Sequence, residues 1–241
     1  MMQNKYPQKP GLDFILKQAF FYWNKTLLFQ LMFSIFYFGI FLSVLFFFDS
    51  RYAILSQYAE AAQYAKDGME VYSAQLAKMM SNDGFQKFSW AIIGTTIFLY
   101  PLNLGFYQIY RKLDLNEKPE LKDLLVGYNG INFFKYIGYY IFWFFVFAYT
   151  FQTIILGIVW VLVTLFVAPI MFFTDKRIFE AISLNFKALR IYFLEIFVCA
   201  IVAVFFKYVG FAFFFVGGLF TFPFWNAMIY SLYKTAFSEQ K

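Results

Sequence analysis

Apolar runs of membrane-spanning length alternate with short polar segments along this chain, and the alternation predicts six transmembrane helices at 26–48, 88–110, 133–150, 153–173, 191–211 and 218–237. Each run is close to the ~20 residues that carry a helix across ~30 Å of hydrocarbon. The spans pair into three hairpins. Before each hairpin lies a lead-in, 12–25, 121–133 and 178–190, in which apolar positions at helical spacing are interleaved with Lys, Asn or Arg. That mixture predicts a helix lying in the headgroup plane. In the third lead-in Ile178, Ile182, Phe186 and Leu189 form the apolar face, with Lys187 and Arg190 off it. A lead-in followed by two spans reads as a threefold repeat whose first unit carries an insertion. Basic linkers between unrelated spans would give the same pattern. Gly210, Gly217 and Gly218 frame either a simple loop or a short re-entrant segment.

The insertion, 49–87, is the one sizeable stretch between spans. Within it Leu55, Tyr58, Ala62, Ala65, Met69, Tyr72, Leu76 and Met79 recur at alternating steps of three and four, the spacing of a coiled-coil seam. A break at Asp67-Gly68 would fold the seam on itself as an antiparallel hairpin, the favoured reading. An unbroken helix lying flat on the outer leaflet is the alternative, with Gly68 tolerated at ~1 kcal/mol. Ala62 and Ala65 are small enough for close approach of a second helix, so the eight seam residues are the candidate partner interface.

Charge orients the chain. With both termini inside, 15 of the 20 Lys and Arg residues fall on the inner side, and the formal net charge of +6 belongs to that side. The positive-inside bias therefore predicts a multi-pass membrane protein with cytoplasmic termini and an extracytoplasmic insertion, and the excess of Lys over Arg, 16 to 4, points to a bacterial source and hence a bacterial inner membrane. The first apolar run is of full span length and is followed by Asp-Ser-Arg, so it is expected to stay as a span and not to be cleaved as a signal peptide.

Composition agrees with the pattern: 62% of residues are hydrophobic, 14% are charged and the mean hydropathy is +0.60. The expected fold class is an all-α integral membrane protein, with 1–241 as a single membrane domain. There is no histidine, and the one cysteine, Cys199, lies in an apolar run. Imidazole catalysis, His-ligated zinc or iron and an intrachain disulfide are thereby excluded. No phosphate-binding loop, dinucleotide fingerprint or nucleophile elbow occurs. No cofactor, no catalytic residue and no nucleic-acid partner are expected.

Some polar residues sit where membranes rarely keep them. Asn103 follows Pro101, Asp175 follows Pro169 and Asn226 follows Pro223, so each proline frees a backbone carbonyl near a polar side chain. Such sites either line a pathway or act as polar glue in a kinked bundle. Glu195 and Lys207 are the charges within a span, about 18 Å apart along one helix, too far for an ion pair. Each suits the helix end it is near. Arg111, Lys112, Lys176, Arg177, Lys187 and Arg190 gather on the inner side and form the candidate site for anionic lipid.

Ala168-Pro-Ile-Met, Asp175, Glu180-Ala-Ile-Ser, Lys187, Gly217-Gly-Leu and the stretch from Pro223 to Tyr230 resemble the C-terminal half of a broad bacterial group. It comprises the membrane domain of glycerophosphodiester phosphodiesterases and related stand-alone six-span membrane proteins. Pro101 to Gly105 and Leu124-Leu-Val-Gly-Tyr resemble its middle. The resemblance implies a six-helix bundle with interfacial lead-ins. It brings no activity, because the phosphodiesterase's catalytic domain is absent, and it does not reach 49–87. The expected function is a non-enzymatic scaffold or accessory subunit that binds a partner protein or assists membrane assembly through the insertion, with membrane lipids and a protein partner or second copy as its contacts. A transporter or lipid-handling protein is the alternative.

Overall fold

The computed structural model describes residues 10–237, is 87% helical and has no strand among those residues. Six stretches are long and apolar enough to cross a membrane: Leu27–Tyr52, Asp83–Asp114, Ile131–Thr150, Ile154–Thr174, Phe193–Ala212 and Phe215–Phe237. The protein is thus an all-α, multi-pass membrane protein. Its chain divides into two compact units, one of Met1–Ser34 with Tyr100–Lys241 and the other of Ile35–Leu99.

The larger unit opens with α1 (Leu12–Lys25), which ends where Thr26 turns the chain into the first span, α2 (Leu27–Tyr52). After the smaller unit the chain re-enters at Pro101 and forms α6 (Leu102–Asp114). A 3-10 segment, Leu121–Tyr128, follows, and then α7 (Ile131–Thr150), the third span. The fourth span is broken into α8 (Ile154–Thr164) and α9 (Val167–Thr174). The last third of the chain holds α10 (Ile178–Ile191), α11 (Phe193–Ala212), α12 (Phe214–Thr221) and α13 (Phe224–Phe237).

The even-numbered spans all break, and each break is closed by a side chain or a close backbone approach. Between α8 and α9, Asn185 of α10 accepts from the Phe166 N–H at 2.6 Å and donates to the Leu162 carbonyl at 2.9 Å. One fully buried amide thereby satisfies a donor and an acceptor that hydrocarbon could not. Pro169 lies in the first turn of α9, where its missing N–H costs no helical bond. At the second break the Asn103 amide donates to the Tyr100 carbonyl at 2.9 Å, and Gly127 brings the 3-10 segment onto the backbone of Pro101. At the third, Trp23 Nε1 donates to the Phe220 carbonyl at 2.8 Å, and Asn226 donates to Asn103 Oδ1 at 3.1 Å, joining two breaks through one amide pair.

The second lead-in departs from expectation. It is not an amphipathic helix over 121–133 but the 3-10 segment followed by a turn at Gly130, whose φ is +55°. A Cβ at Gly105 would collide with the backbone of Leu124, and one at Gly127 with the Pro101 carbonyl, so segment and α6 meet backbone to backbone. The third lead-in is a helix as expected but turns a different face inward. Ala181, Asn185 and Ala188 are buried, whereas Phe186 is exposed and Ile178, Ile182 and Leu189 are half-buried. Between helices in lipid, close packing of small residues and polar pairing decide the interface, because large apolar side chains are as well off against acyl chains. Gly217 and Gly218 lie within α12, not in a loop, and the chain turns at Phe213. There Gly210 and Gly217 let α11 and α12 cross closely: a Cβ on Gly217 would stand 2.5 Å from the Gly210 carbonyl oxygen.

The smaller unit holds the rest of α2, α3 (Ile54–Gln63), a 3-10 turn at Tyr64–Asp67, α4 (Met69–Met80) and α5 (Asp83–Leu99).

Replacing Asn185 by Ala leaves the Phe166 N–H and the Leu162 carbonyl without partners in a water-poor core. The expected destabilisation is ~2–5 kcal/mol, read as a fall in Tm of the detergent-solubilised protein, whereas exchange of exposed Phe179 for Leu leaves the Tm unchanged.

Candidate functional site

The helical excursion is built by three local devices. Ala53 takes a left-handed conformation, φ 50°, and ends the first span's helix, and Asp49 Oδ1 accepts the Leu55 N–H at 2.7 Å to start α3. Gly68, φ 108°, sets the reversal between α3 and α4 in a conformation that glycine tolerates and L side chains resist. Asn82 Oδ1 accepts the Gly84 N–H at 2.9 Å and starts α5. The two arms pack on each other as a hairpin.

The hairpin's seam differs from the heptad read in the sequence. Ile54, Ala61, Met79 and Phe85 are its buried core, flanked by Phe48, Tyr52, Leu76 and Phe88. In α4 the predicted seam holds from Tyr72 on, with Tyr72 and Leu76 half-buried and Met79 buried. In α3 it is shifted by one residue: Ile54 and Ala61 face inward, and Leu55 and Tyr58 are 47% and 44% exposed. Ala62 and Ala65 are exposed, and Met69 is 79% exposed. The cause is the pair of interruptions at Ala53 and Tyr64–Gly68, which give each arm its own phase where the heptad assumes one continuous helix. A one-residue slip turns a helix by about 100°. An apolar strip, Leu55, Tyr58 and Ala62, is thereby left on the outside of α3. Beside the seam, Gln57, Glu60, Gln75, Lys78 and Asn82 line a polar cleft.

The six basic residues assigned to lipid are not equivalent. Lys112 is half-buried and held by both oxygens of Asp123 at 2.8 and 2.9 Å, while Asp123 also accepts the Glu120 N–H at 2.7 Å. Its charge is spent on locking the 3-10 segment to α6. Arg111, Lys176, Arg177, Lys187 and Arg190 are exposed. Arg190 lies over the Phe186 ring at 4.5 Å, and the Arg177 N–H donates to Glu180 at 3.3 Å. Lys176, Phe179, Glu180, Ser183 and Leu184 line an open concavity on α10. The neighbouring Asp175 is held below the ordinary aspartate range by its hydrogen bond with Lys135 at 2.6 Å.

Sequence reasoning missed a polar hub that no local pattern marks. Asp114, at the end of α6, accepts from Tyr22 at 2.5 Å, Tyr230 at 2.7 Å and Lys234 at 2.9 Å, and Lys234 also donates to the Tyr22 hydroxyl at 3.0 Å. Burial, and then the bonded Asp114 carboxylate, push the Tyr22 phenol well above the ordinary tyrosine range. The hub ties α1, α6 and α13 together with residues more than 90 positions apart.

The suspected intramembrane charges are placed without an ion pair between them. Lys207 lies over the rings of Phe222 at 4.4 Å and Tyr208 at 5.6 Å, a cation–π arrangement that suits a lysine near a helix end. Among the described residues there is no group of three or more His, Cys, Asp or Glu side chains able to hold a metal ion.

Lys112→Met strands the buried Asp123 carboxylate and should cost ~3–5 kcal/mol of stability, most of it recovered in Lys112→Met/Asp123→Leu; Tm values of the single and double variants in one detergent check this. Alkaline pH provides a second test. A phenol whose folded pKa is raised stabilises the fold fully below the unfolded value of ~10, and that contribution is lost as pH rises through the folded pKa. Tyr22→Phe should therefore flatten the fall of Tm with pH above ~10 relative to the parent protein, and an unchanged slope would contradict the assignment.

Comparison with family models, curated proteins and solved structures finds no match for this chain.

Proposed function

We propose that the protein is a non-enzymatic membrane scaffold or accessory subunit of the bacterial inner membrane. It binds an amphipathic helix of a partner protein through the hairpin of α3 and α4, or assists membrane assembly through the same contact. The observation that carries this reading is the apolar strip on α3, Leu55, Tyr58 and Ala62, left outside while the hairpin closes on Ile54, Ala61 and Met79. The strip follows the three-and-four spacing that lets one helix ridge pack on another, and Ala62 with Ala65 admits close approach.

A protein occupant is favoured over a lipid surface by charge. Glu60, Lys66, Asp67, Glu70 and Lys78 sum to a net charge of −1 across the hairpin. Helices that lie on membranes instead carry a Lys- and Arg-rich polar face. The uneven division of basic residues between the two sides supports cytoplasmic termini and an extracytoplasmic hairpin.

A lipid-handling role is the second reading. It is favoured by the exposed Arg111, Lys176, Arg177, Lys187 and Arg190, and by the concavity on α10, where Lys176 lies beside Phe179.

Leu55→Lys alters the strip without touching the seam, whereas Tyr58, whose ring packs edge-on against Phe85 at 5.6 Å, is left in place. The variant should leave the Tm within a few degrees of the parent value while reducing photo-crosslinking from position 62 to its partner by tenfold or more. Undiminished crosslinking would overturn the docking surface, and crosslinks solely to a second copy would make the partner this same chain. Lipid flux in liposomes that falls on neutralising Lys176 and Arg177 would favour the second reading.

A further inference from the structure

The first span carries a polar stripe on an otherwise apolar helix. Thr26, Gln30 and Ser34 follow one another at four-residue steps and so share one face, and all three are at most 1% exposed. Thr26 Oγ1 donates to the Tyr22 carbonyl at 2.8 Å. Gln30 Nε2 donates to Thr26 Oγ1 at 2.9 Å and to the Tyr110 hydroxyl at 3.1 Å, which uses both amide hydrogens. Gln30 Oε1 and Ser34 Oγ, one helical turn apart, have no partner among the described residues. Turning the Gln30 amide over would exchange nitrogen for oxygen and leave the same end open.

A buried carbonyl and a buried hydroxyl with nothing to bond are costly anywhere and most costly inside a membrane. Their chemistry is complementary: Gln30 Oε1 accepts, and the Ser34 hydroxyl both donates and accepts. Two such groups, one helical turn apart, can serve a single buried water molecule.

We propose that Gln30 and Ser34 bind ordered water inside the first span, and that this water is the inner end of a hydrated polar inlet. From Ser34 the polar side chains run through Gln30 to Tyr110 and Thr26, and Thr26 ends on the backbone carbonyl of Tyr22, the residue whose hydroxyl at its other end meets Asp114 and Lys234 at the surface. Ser34 lies eight residues beyond Thr26, about 12 Å along the helix, more than a third of the way across ~30 Å of hydrocarbon. Water is the occupant, not a metal cation. The one carboxylate on the chain, Asp114, is already engaged by two tyrosines and a lysine, and two neutral oxygens are too few ligands for a dehydrated cation.

The experiment is water-edited solid-state NMR on the full isotope-labelled chain in lipid bilayers, with the Gln30 and Ser34 side-chain signals assigned by difference from Gln30→Met and Ser34→Ala. Early magnetisation transfer from water to both side chains, at least threefold faster than to the buried Leu99 and Ile109, supports the inlet. Transfer no faster than to those two residues overturns it. Thermal melting gives an independent reading. If water bridges the pair, Ser34→Ala strands its partner and lowers the Tm by about 2–4 °C; a raised Tm means a dry hydroxyl was removed from an apolar site, and overturns the proposal.

Discussion

Hydrocarbon offers no partner to a backbone N–H or carbonyl, and the larger unit of this protein is organised around meeting that demand where its helices break. The second, fourth and sixth spans are each interrupted, near Pro101, at Leu165 and Phe166, and at Phe222 and Pro223. Each interruption is answered by a side chain or by a close backbone approach: Asn185 across the fourth span, Asn103 and Gly127 at the second, and the Trp23 indole on the Phe220 carbonyl at the sixth, with Asn226 joining the last two. Because these contacts reach between elements, closing a break also docks one helix on another. The polar amides thus join helices as well as closing breaks.

The breaks also display the repeat. Each hairpin consists of a lead-in, an unbroken span (α2, α7 or α11) and a span divided in two by a break. The first hairpin differs in that its turn is opened by α3 and α4. In α10 small and polar side chains face inward and large aromatics face out: Ala181, Asn185 and Ala188 are buried while Phe179 and Phe186 are exposed. This inversion of the soluble-protein rule follows from the solvent, since acyl chains accept phenylalanine as readily as a core does.

Charged groups divide by the same logic. Lys112 with Asp123, and Lys234 with Asp114, are paired within the fold, and the Asp114 hub uses two tyrosine hydroxyls to complete the carboxylate's bonding. Of the six inner basic residues, the five left exposed sit on α10, just before it, and at Arg111. The hairpin of α3 and α4, by contrast, presents an apolar strip in a nearly neutral surround.

The sequence by itself determined the number of spans, the placement of the first and third lead-ins and the reversal at Gly68, because length, apolarity, proline and glycine act locally on the chain. Tertiary structure alone decided the phase of the α3 seam, the inward face of α10, the collapse of the second lead-in onto Gly105, and the meeting of Tyr22, Asp114, Tyr230 and Lys234. Periodicity reports which face of a helix is apolar. Inside a membrane the buried face is instead the one whose small side chains and hydrogen bonds match a neighbour, and that neighbour lies far away in sequence.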